Sequence, residues 1–142
     1  MLTKNGKFMF ANTITSQRTY KGVDGNSISL TLGNKAYGAI WAGSGTTPPS
    51  VDDYCIESRL TALSALGGSI TLSDSIEKNY IMLLTETFTN ATSEDITVNE
   101  LGWVCGSGYT QAETSGALLV REVIDPVVIP AGESKTFTIR IG

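Results

Sequence analysis

The acidic side chains offer the most obvious chemistry in this chain, which has 142 residues and no histidine. Glycosidases use paired carboxylates, and the candidates are Asp52 with Asp53, Glu94 with Asp95, and Glu100. Adjacent acids on an extended chain point to opposite sides, and Glu94 and Asp95 fall in a polar turn. Because surface acids are common, we expect all five to be solvated or to cap turns.

Other catalytic arrangements have little support. Serine and threonine are abundant, but a serine nucleophile needs a base, and no Gly-x-Ser-x-Gly turn leads from a strand into a helix. A serine–lysine pair stays open as an alternative. Calcium is the only metal that acidic loop oxygens would suit, and the Asp-x-Asp-x-Asp-Gly pattern is absent. The sequence therefore predicts no enzymatic activity, no metal and no cofactor.

The cysteines and the N-terminus bear on the cellular compartment. Cys55 and Cys105 could form a disulfide between two sheets or pack as buried free thiols. Residues 1–7 are positively charged but precede no apolar block, so they do not resemble a secretory signal. We expect free thiols, since cytosolic cysteines stay reduced. No apolar run approaches the ~20 residues that span a bilayer, so we expect a soluble protein made in the cytoplasm without a membrane partner.

The charge balance argues against nucleic-acid binding. The chain has 10 basic and 14 acidic side chains, a net charge of −4. Phosphate contacts supply most of the affinity for nucleic acids, and binding proteins usually carry a basic stripe. No such stripe is visible, so we expect no nucleic-acid partner. The low charged fraction of 17% would suit packing against other protein.

Short alternating segments separated by turn residues run through the chain. Residues 134–141 place Phe137, Ile139 and Ile141 on one face and polar residues on the other, as a half-buried strand requires. Turns recur at the spacing of sandwiches and barrels. The sequence predicts an all-β antiparallel sandwich, Ig-like or jelly-roll-like, with about eight to ten short strands. We expect one domain over residues 1–142, with residues 1–25 forming an N-terminal strand or arm.

Individual segments carry more specific predictions. Residues 7–23 read as a strand region that ends at the turn residues Asp24 and Gly25. Residues 54–66 fit a strand or a helical turn, and we favour a strand at the start, ended by Gly67 and Gly68. Residues 76–90 read as the longest strand, central and covered from two sides, because apolar residues occupy both faces near its start.

The C-terminal half contains one irregularity and two proline signals. The apolar phase slips near Asn99 and Glu100, which indicates a β-bulge. Asp125 and Pro126 are expected to separate two strands, and residues 130–133 to form a tight turn into the last strand.

Two further features could make contacts. Residues 43–50 form a loop by composition, and Pro48 and Pro49 restrict its flexibility. Several aromatic residues could form a sugar-stacking platform, but Trp41 and Trp103 more often fill a core or corner. Tyr109, in a Gly-rich loop, is the best aromatic contact candidate. The platform residues are Trp41, Trp103, Tyr20, Tyr37, Tyr54 and Tyr109.

Two stretches resemble virion proteins of tailed bacteriophages. Residues 43–54, GSGTTPPSVDDY, are similar to the Gly-x-Gly-x-Thr-Pro-Pro-x-x-x-Asp-Tyr loop of small β-rich phage structural proteins. The second stretch comprises FTN at 88–90, ITVNELG at 96–102, LVREV at 119–123 and IPAGES at 129–134. It resembles the ending of the same proteins, in which a Thr-rich strand leads to a Pro-Ala-Gly turn and a last strand.

The resemblance implies a non-enzymatic accessory component of the virion, either a capsid decoration or a neck or tail component. Its partners would be other virion proteins, and such proteins commonly work as homo-oligomers. Contacts would lie on loops 43–53 and 106–115, and we hypothesise that the Pro-Pro loop is an assembly contact. The alternative is a carbohydrate- or receptor-binding module on the same sandwich. The candidate contact residues are Thr46, Thr47, Pro48, Pro49, Tyr54 and Tyr109.

Overall fold

A computed structural model of the chain describes residues 1–11, 18–30, 38–72, 82–106 and 114–141. These residues contain one helix and eight strands. The elements are α1 (Lys4–Ala11), β1 (Arg18–Lys21), β2 (Ser27–Leu30), β3 (Gly38–Gly43), β4 (Leu63–Leu72), β5 (Met82–Asn90), β6 (Ile96–Cys105), β7 (Ala117–Ile129) and β8 (Ser134–Ile141). No described helix has the length and hydrophobicity needed to cross a membrane.

The strands form three antiparallel sheets. β1 and β2 make a hairpin, and the remaining strands form two three-stranded sheets with the orders β3–β6–β7 and β4–β5–β8. Every pairing between these strands is antiparallel. The predicted all-β, antiparallel, sandwich-like architecture is therefore confirmed.

The main core joins the two three-stranded sheets. Trp103 on β6 is fully buried and belongs to the same apolar cluster as Leu84, Phe88, Phe137 and Ile139 of the other sheet. The rings of Phe88 and Phe137 meet edge to face, with centroids 6.0 Å apart. The predicted alternation of β8 is confirmed, since its apolar residues are buried and its polar residues exposed.

The outer face of the β4–β5–β8 sheet carries hydroxyl groups instead of a second core. Hydroxyl pairs bridge neighbouring strands, Ser69 to Thr85 at 2.8 Å and Thr87 to Thr136 at 2.7 Å. The predicted central position of β5 is confirmed. For residues 82–90 the prediction of cover on both sides is wrong, because the half-buried Thr85, Thr87 and Thr89 form a row of hydroxyl groups on the outer face. The predicted start of this strand, residues 76–81, lies outside the described residues.

The outer face of the β3–β6–β7 sheet is covered by residues 44–60, called the covering loop below. Ile56 of this loop packs on Trp41, Val104 and Leu118, which form a second apolar cluster. The guanidinium of Arg59 lies 3.6 Å from the centre of the Trp41 ring. This sheet is thus buried on both faces.

The N-terminal segment departs from its prediction, because it begins as a helix and not as a strand. The Thr3 hydroxyl accepts a hydrogen bond from the amide of Gly6 at 3.1 Å, which is a helix N-cap contact. The same hydroxyl donates to the carbonyl of Leu118 at 2.6 Å, so the cap is attached to β7. Met9 is fully buried on the inner face of the helix. Tertiary packing explains a helix that the local sequence signalled weakly.

Three strand boundaries were also predicted wrongly. Residues 54–62 contain no continuous strand, and β4 runs through Gly67 and Gly68 with a register shift between Ala65 and Gly67. β7 continues through Asp125 and Pro126 and, with 13 residues, is the longest described strand. Proline is tolerated there because β7 is an edge strand and its register with β6 shifts at this point.

Other local predictions are confirmed. The register between β6 and β7 shifts between Val98 and Glu100, where the apolar phase slips in the sequence. Gly25 and Gly132 have φ angles of 83° and 78° in the turns expected for them.

Shortening Ile139 should destabilise the fold far more than shortening its neighbour. Ile139→Ala removes a fully buried side chain between the two sheets and should lower the free energy of unfolding by about 2–5 kcal/mol. Thr138→Ala, on the exposed face of the same strand, should change it by no more than about 0.5 kcal/mol. Urea unfolding followed by tryptophan fluorescence measures both, and similar losses would contradict the assigned core.

Candidate functional site

A buried carboxylate lies beneath the covering loop. The Glu100 side chain is fully buried on β6. Its Oε1 accepts hydrogen bonds from the amides of Gly45 at 3.0 Å and Ser58 at 2.7 Å. Its Oε2 accepts from the amide of Glu57 at 3.0 Å. One side chain therefore binds both ends of the loop.

Arg121 on β7 supplies the opposite charge. It is 2% exposed, and its Nε donates to Glu100 Oε2 at 2.9 Å. Its two terminal nitrogens donate to Asp53 Oδ2 at 3.0 Å and to Glu57 Oε2 at 3.4 Å. Burial by itself would lower the pKa of Arg121, but the hydrogen bonds to Glu100 and Asp53 raise it above its usual value. The guanidinium stays charged and holds three carboxylates together, in an arrangement called the ion-pair network below.

Two strand irregularities bring Glu100 and Arg121 to the same face. Val98 packs in the main core, whereas Glu100, two residues later, faces the covering loop. On β7, Leu118 lies in the outer cluster and Val120 in the main core. Residues two apart on a regular strand share a face. The register shifts between Val98 and Glu100 and between Trp103 and Val104 therefore account for the alignment of the pair.

Glycines allow the covering loop to approach Glu100 closely. A Cβ atom at Gly43 or Gly45 would collide with the Glu100 carboxylate. The Gly-x-Gly at the start of the loop thus has a packing role, because only glycine leaves room for the buried acid.

Hydrogen bonds within the loop fix its exposed tip. The amide and hydroxyl of Thr47 donate to the Glu57 carboxylate at 3.0 and 2.9 Å. These bonds lower the pKa of Glu57. The amide of Ser50 donates to Asp53 at 2.8 Å, and the carbonyl of Val51 accepts from the Lys4 amide at 2.7 Å. The tip is thus exposed but held in one geometry.

The predicted contact residues are distributed as follows. Thr46, Thr47 and Pro48 are exposed at the tip, and Pro49 is half-buried beside them. Tyr54 is 38% exposed, with the Lys21 ammonium 3.8 Å from its ring centre. Tyr109 lies outside the described residues.

Most of the aromatic residues considered for a sugar platform are buried. Trp41 is 5% exposed, Trp103 is fully buried and Tyr20 is 3% exposed. The prediction that the two tryptophans fill core positions is therefore confirmed. Tyr37, like Tyr109, lies outside the described residues.

The expectation for the acidic residues was wrong for Glu100, which is neither solvated nor in a turn. Asp53 is half-buried and combines a turn contact with its ion pair to Arg121. Glu94 and Asp95 are exposed as predicted, and Asp95 accepts from the amide of Ala131. Among the described residues, no group of three or more histidine, cysteine or acidic side chains is arranged to hold a metal ion.

Arg121 and Glu57 were not singled out from the sequence. A signal existed for Arg121, since it lies within the mostly apolar start of β7, ALLVREV. A charged residue in such a run needs a buried partner. Glu57 had no comparable signal, because its partner Thr47 is recognisable only once the loop has folded.

Both cysteines are free, as predicted. Burial raises the pKa of the Cys55 thiol, and it raises that of Cys105 well above its usual value. Since the thiolate is the reactive form, neither environment favours nucleophilic chemistry.

Asn90, in the sequon Asn90-Ala91-Thr92, is buried and donates to the carbonyls of Glu94 and Ile129.

Comparisons with known proteins add no relative. No protein-family model matches the chain, and neither a curated protein nor a solved structure matches it.

Removing the buried cation should loosen the covering loop. Arg121→Met leaves Glu100 buried without its counter-charge, so the free energy of unfolding should fall by about 3–5 kcal/mol. Cleavage by protease within residues 44–60 should also become faster. Arg140→Met, at an exposed arginine on β8, should change the stability by no more than about 0.5 kcal/mol. Equal effects of the two substitutions would contradict the anchoring role.

Acid should weaken the loop through Glu57. The pKa of Glu57 is lower in the folded than in the unfolded state, so the unfolded chain takes up the proton first as the pH is lowered. The free energy of unfolding therefore decreases as the pH decreases. The contribution is complete above the ordinary glutamate pKa of 4.5 and is lost as the pH falls through the lower folded value. Glu57→Gln should flatten the dependence of the urea midpoint on pH below 4.5. A control, Glu133→Gln in the exposed turn before β8, should keep the wild-type dependence.

Proposed function

We propose that the protein is a non-enzymatic structural component of a tailed-phage virion, a capsid decoration or a neck or tail accessory protein. It acts through contacts with other virion proteins, and the tip of the covering loop is its principal contact. The proposal rests on the resemblance of two sequence stretches to phage structural proteins. The observation that carries it is the physical connection between those stretches.

The two resembling stretches meet in the ion-pair network. Gly45 and Asp53 come from the loop stretch, and Glu100 and Arg121 come from the second stretch. Residues far apart along the chain thus form one unit, and this unit holds the covering loop in place. An assembly protein would require a contact loop of fixed geometry, and the two resembling stretches together hold such a loop.

The tip is suited to binding with a small loss of entropy. Its backbone is held by Glu57 and Asp53, and Pro48 and Pro49 restrict it further. A surface that is ordered before binding loses less conformational freedom on association than a flexible one. The exposed Thr46 and Pro48 would therefore form a rigid contact.

The arrangement of charged groups supports a structural role over a catalytic one. The buried carboxylate oxygens of Glu100 accept hydrogen bonds from three backbone amides and from the Arg121 guanidinium. These contacts occupy both carboxylate oxygens and fix the side chain in place. A general acid or base must instead exchange a proton with a bound substrate.

A carbohydrate-binding role has less support. Stacking on sugars needs exposed rings, and of the described candidates only Tyr54 exceeds a third exposure. Lys21 already lies over that ring.

The protein should be present in purified phage particles, where mass spectrometry and antibody labelling can detect it. A double substitution, Thr46→Lys with Pro48→Lys, should reduce its incorporation at least about tenfold, since charges at a contact centre cost more than about 1.4 kcal/mol. Both positions are exposed, so the fold should remain intact.

The matched control is Ala91→Lys with Ser93→Lys, which adds the same charge to the exposed turn between β5 and β6. The control should be incorporated like the wild type. Absence of the wild-type protein from particles would overturn the virion role. Normal incorporation of the loop variant would overturn the contact assigned to the tip.

A further inference from the structure

The tip of the covering loop has its backbone donors bonded to carboxylates of the ion-pair network. The amides of Gly45, Thr47 and Ser50 donate to these carboxylates at 3.0, 3.0 and 2.8 Å. The Thr46 amide also faces the Glu57 carboxylate, because its hydrogen bond contributes to lowering the pKa of Glu57. The network therefore takes up the amide hydrogens of the tip, in addition to holding the loop on the sheet.

The two prolines leave no further donor in this backbone. Pro48 and Pro49 have no N–H group, so every amide hydrogen between residues 45 and 50, all of which are described, is bonded to a carboxylate. Among the residues that the structure describes, none donates a hydrogen bond to the backbone carbonyls of residues 46–49. The backbone of the tip thus presents acceptors to its surroundings and no donors.

A backbone that presents acceptors alone cannot extend a β-sheet. Neighbouring strands exchange N–H···O=C bonds in both directions, and the tip lacks the donor half of this pattern. Pairing of the tip with an edge strand of another protein is therefore excluded as its mode of contact. A partner must instead supply donors to the carbonyls of residues 46–49.

The prolines also give the tip a defined shape. Each proline has a φ angle of about −65°, and the residue before a proline prefers extended geometry. Residues 48 and 49 therefore favour the polyproline II conformation, which forms no internal hydrogen bonds and leaves its carbonyls accessible. Residues 44–50, SGTTPPS, contain no charged side chain, and Pro48 is exposed. The surface offered to a partner is thus neutral, with a proline ring and carbonyl oxygens.

We infer that the partner receives the tip in a cleft lined by tryptophan or tyrosine side chains. This inference rests on the proposed function and names the chemistry of the partner at the same contact. Grooves lined by aromatic rings are a recurring means of binding proline-rich segments. Indole N–H and phenol O–H groups donate hydrogen bonds, and the carbonyls of residues 46–49 accept them. An aromatic cleft thus matches both the proline rings and the acceptor-only backbone.

Other partner surfaces match the tip less well. A cleft of aliphatic or phenylalanine side chains would bury the carbonyls without donors, and an unpaired buried acceptor is unfavourable. An acidic surface would place acceptors against acceptors, next to the carboxylates of Asp52 and Asp53. Tryptophan and tyrosine combine an apolar ring with a donor group.

Hydrogen exchange of the purified chain, followed by NMR, tests the arrangement of the donors. The amides of Gly45, Thr47 and Ser50 should exchange at least about tenfold more slowly than that of Ser93. Ser93 lies in the exposed turn before β6, and its amide has no partner among the described residues. Glu57→Ala should remove the protection of Thr47 and leave that of Gly45. Tip amides that exchange as fast as Ser93 would overturn the inference, because the tip would then present donors.

Replacement of the exposed proline tests the contact in phage particles. Pro48→Ala removes the ring and introduces an N–H group at the tip, so it should reduce incorporation at least about tenfold. The matched control is Pro126→Ala, at an exposed proline on β7, which should be incorporated like the wild type. Circular dichroism should show that both variants are folded. Normal incorporation of Pro48→Ala would overturn the inference.

Photo-crosslinking in intact particles identifies the receiving surface. The photoreactive residue p-benzoylphenylalanine, in place of the exposed Asp52 beside the tip, should crosslink to a partner segment that contains tryptophan or tyrosine. Crosslinks confined to segments without either residue would overturn the inference and leave the virion role intact. Absence of the wild-type protein from particles would instead overturn the virion role, and the inference with it.

Discussion

The pairing of Glu100 with Arg121 is the interaction on which the covered side of the molecule depends. Two charges removed from water are costly unless they are paired and their remaining hydrogen-bonding groups are satisfied. Here three backbone amides and two further carboxylates complete the network. The hydrogen bonds that compensate for burying the charges also fix the backbone of residues 44–60. A hydrophobic pair could fill the same space, but it could not bind the amides of the loop.

The network also explains why the sheets have different surfaces. The β3–β6–β7 sheet has an apolar outer face, with Trp41 and Leu118, that must be covered. The covering loop buries this apolar face, and the ion pair of Glu100 and Arg121 holds the loop on the sheet. The β4–β5–β8 sheet needs no cover, because its outer face is a row of hydroxyl groups that bond across strands. Charge is thus concentrated beneath one surface and is sparse on the other.

The sequence predicted the features that depend on local pattern. Alternation identified β8, and the phase slip at Asn99 located the irregularity in β6. The failures arise where distant contacts outweigh local preference. The helix at residues 4–11 depends on the hydrogen bond from the Thr3 hydroxyl to β7. β7 continues through Pro126 because this residue lies in the register shift, where it has no partner in β6. The site was predicted only as an exposed Pro-Pro loop. Its anchor was missed because Glu100 and Arg121 become neighbours only when two strands pair with the correct irregularities.

The order of structure formation follows from where the anchor atoms lie along the chain. The Glu100 carboxylate is 55 residues from the Gly45 amide and 21 residues from the Arg121 guanidinium. Contacts between distant residues form slowly, because the intervening chain must first lose entropy. The pocket that receives the loop exists only after β6 and β7 have aligned. We therefore expect residues 44–60 to dock late in folding, and the apolar patch around Trp41 to stay exposed until they do.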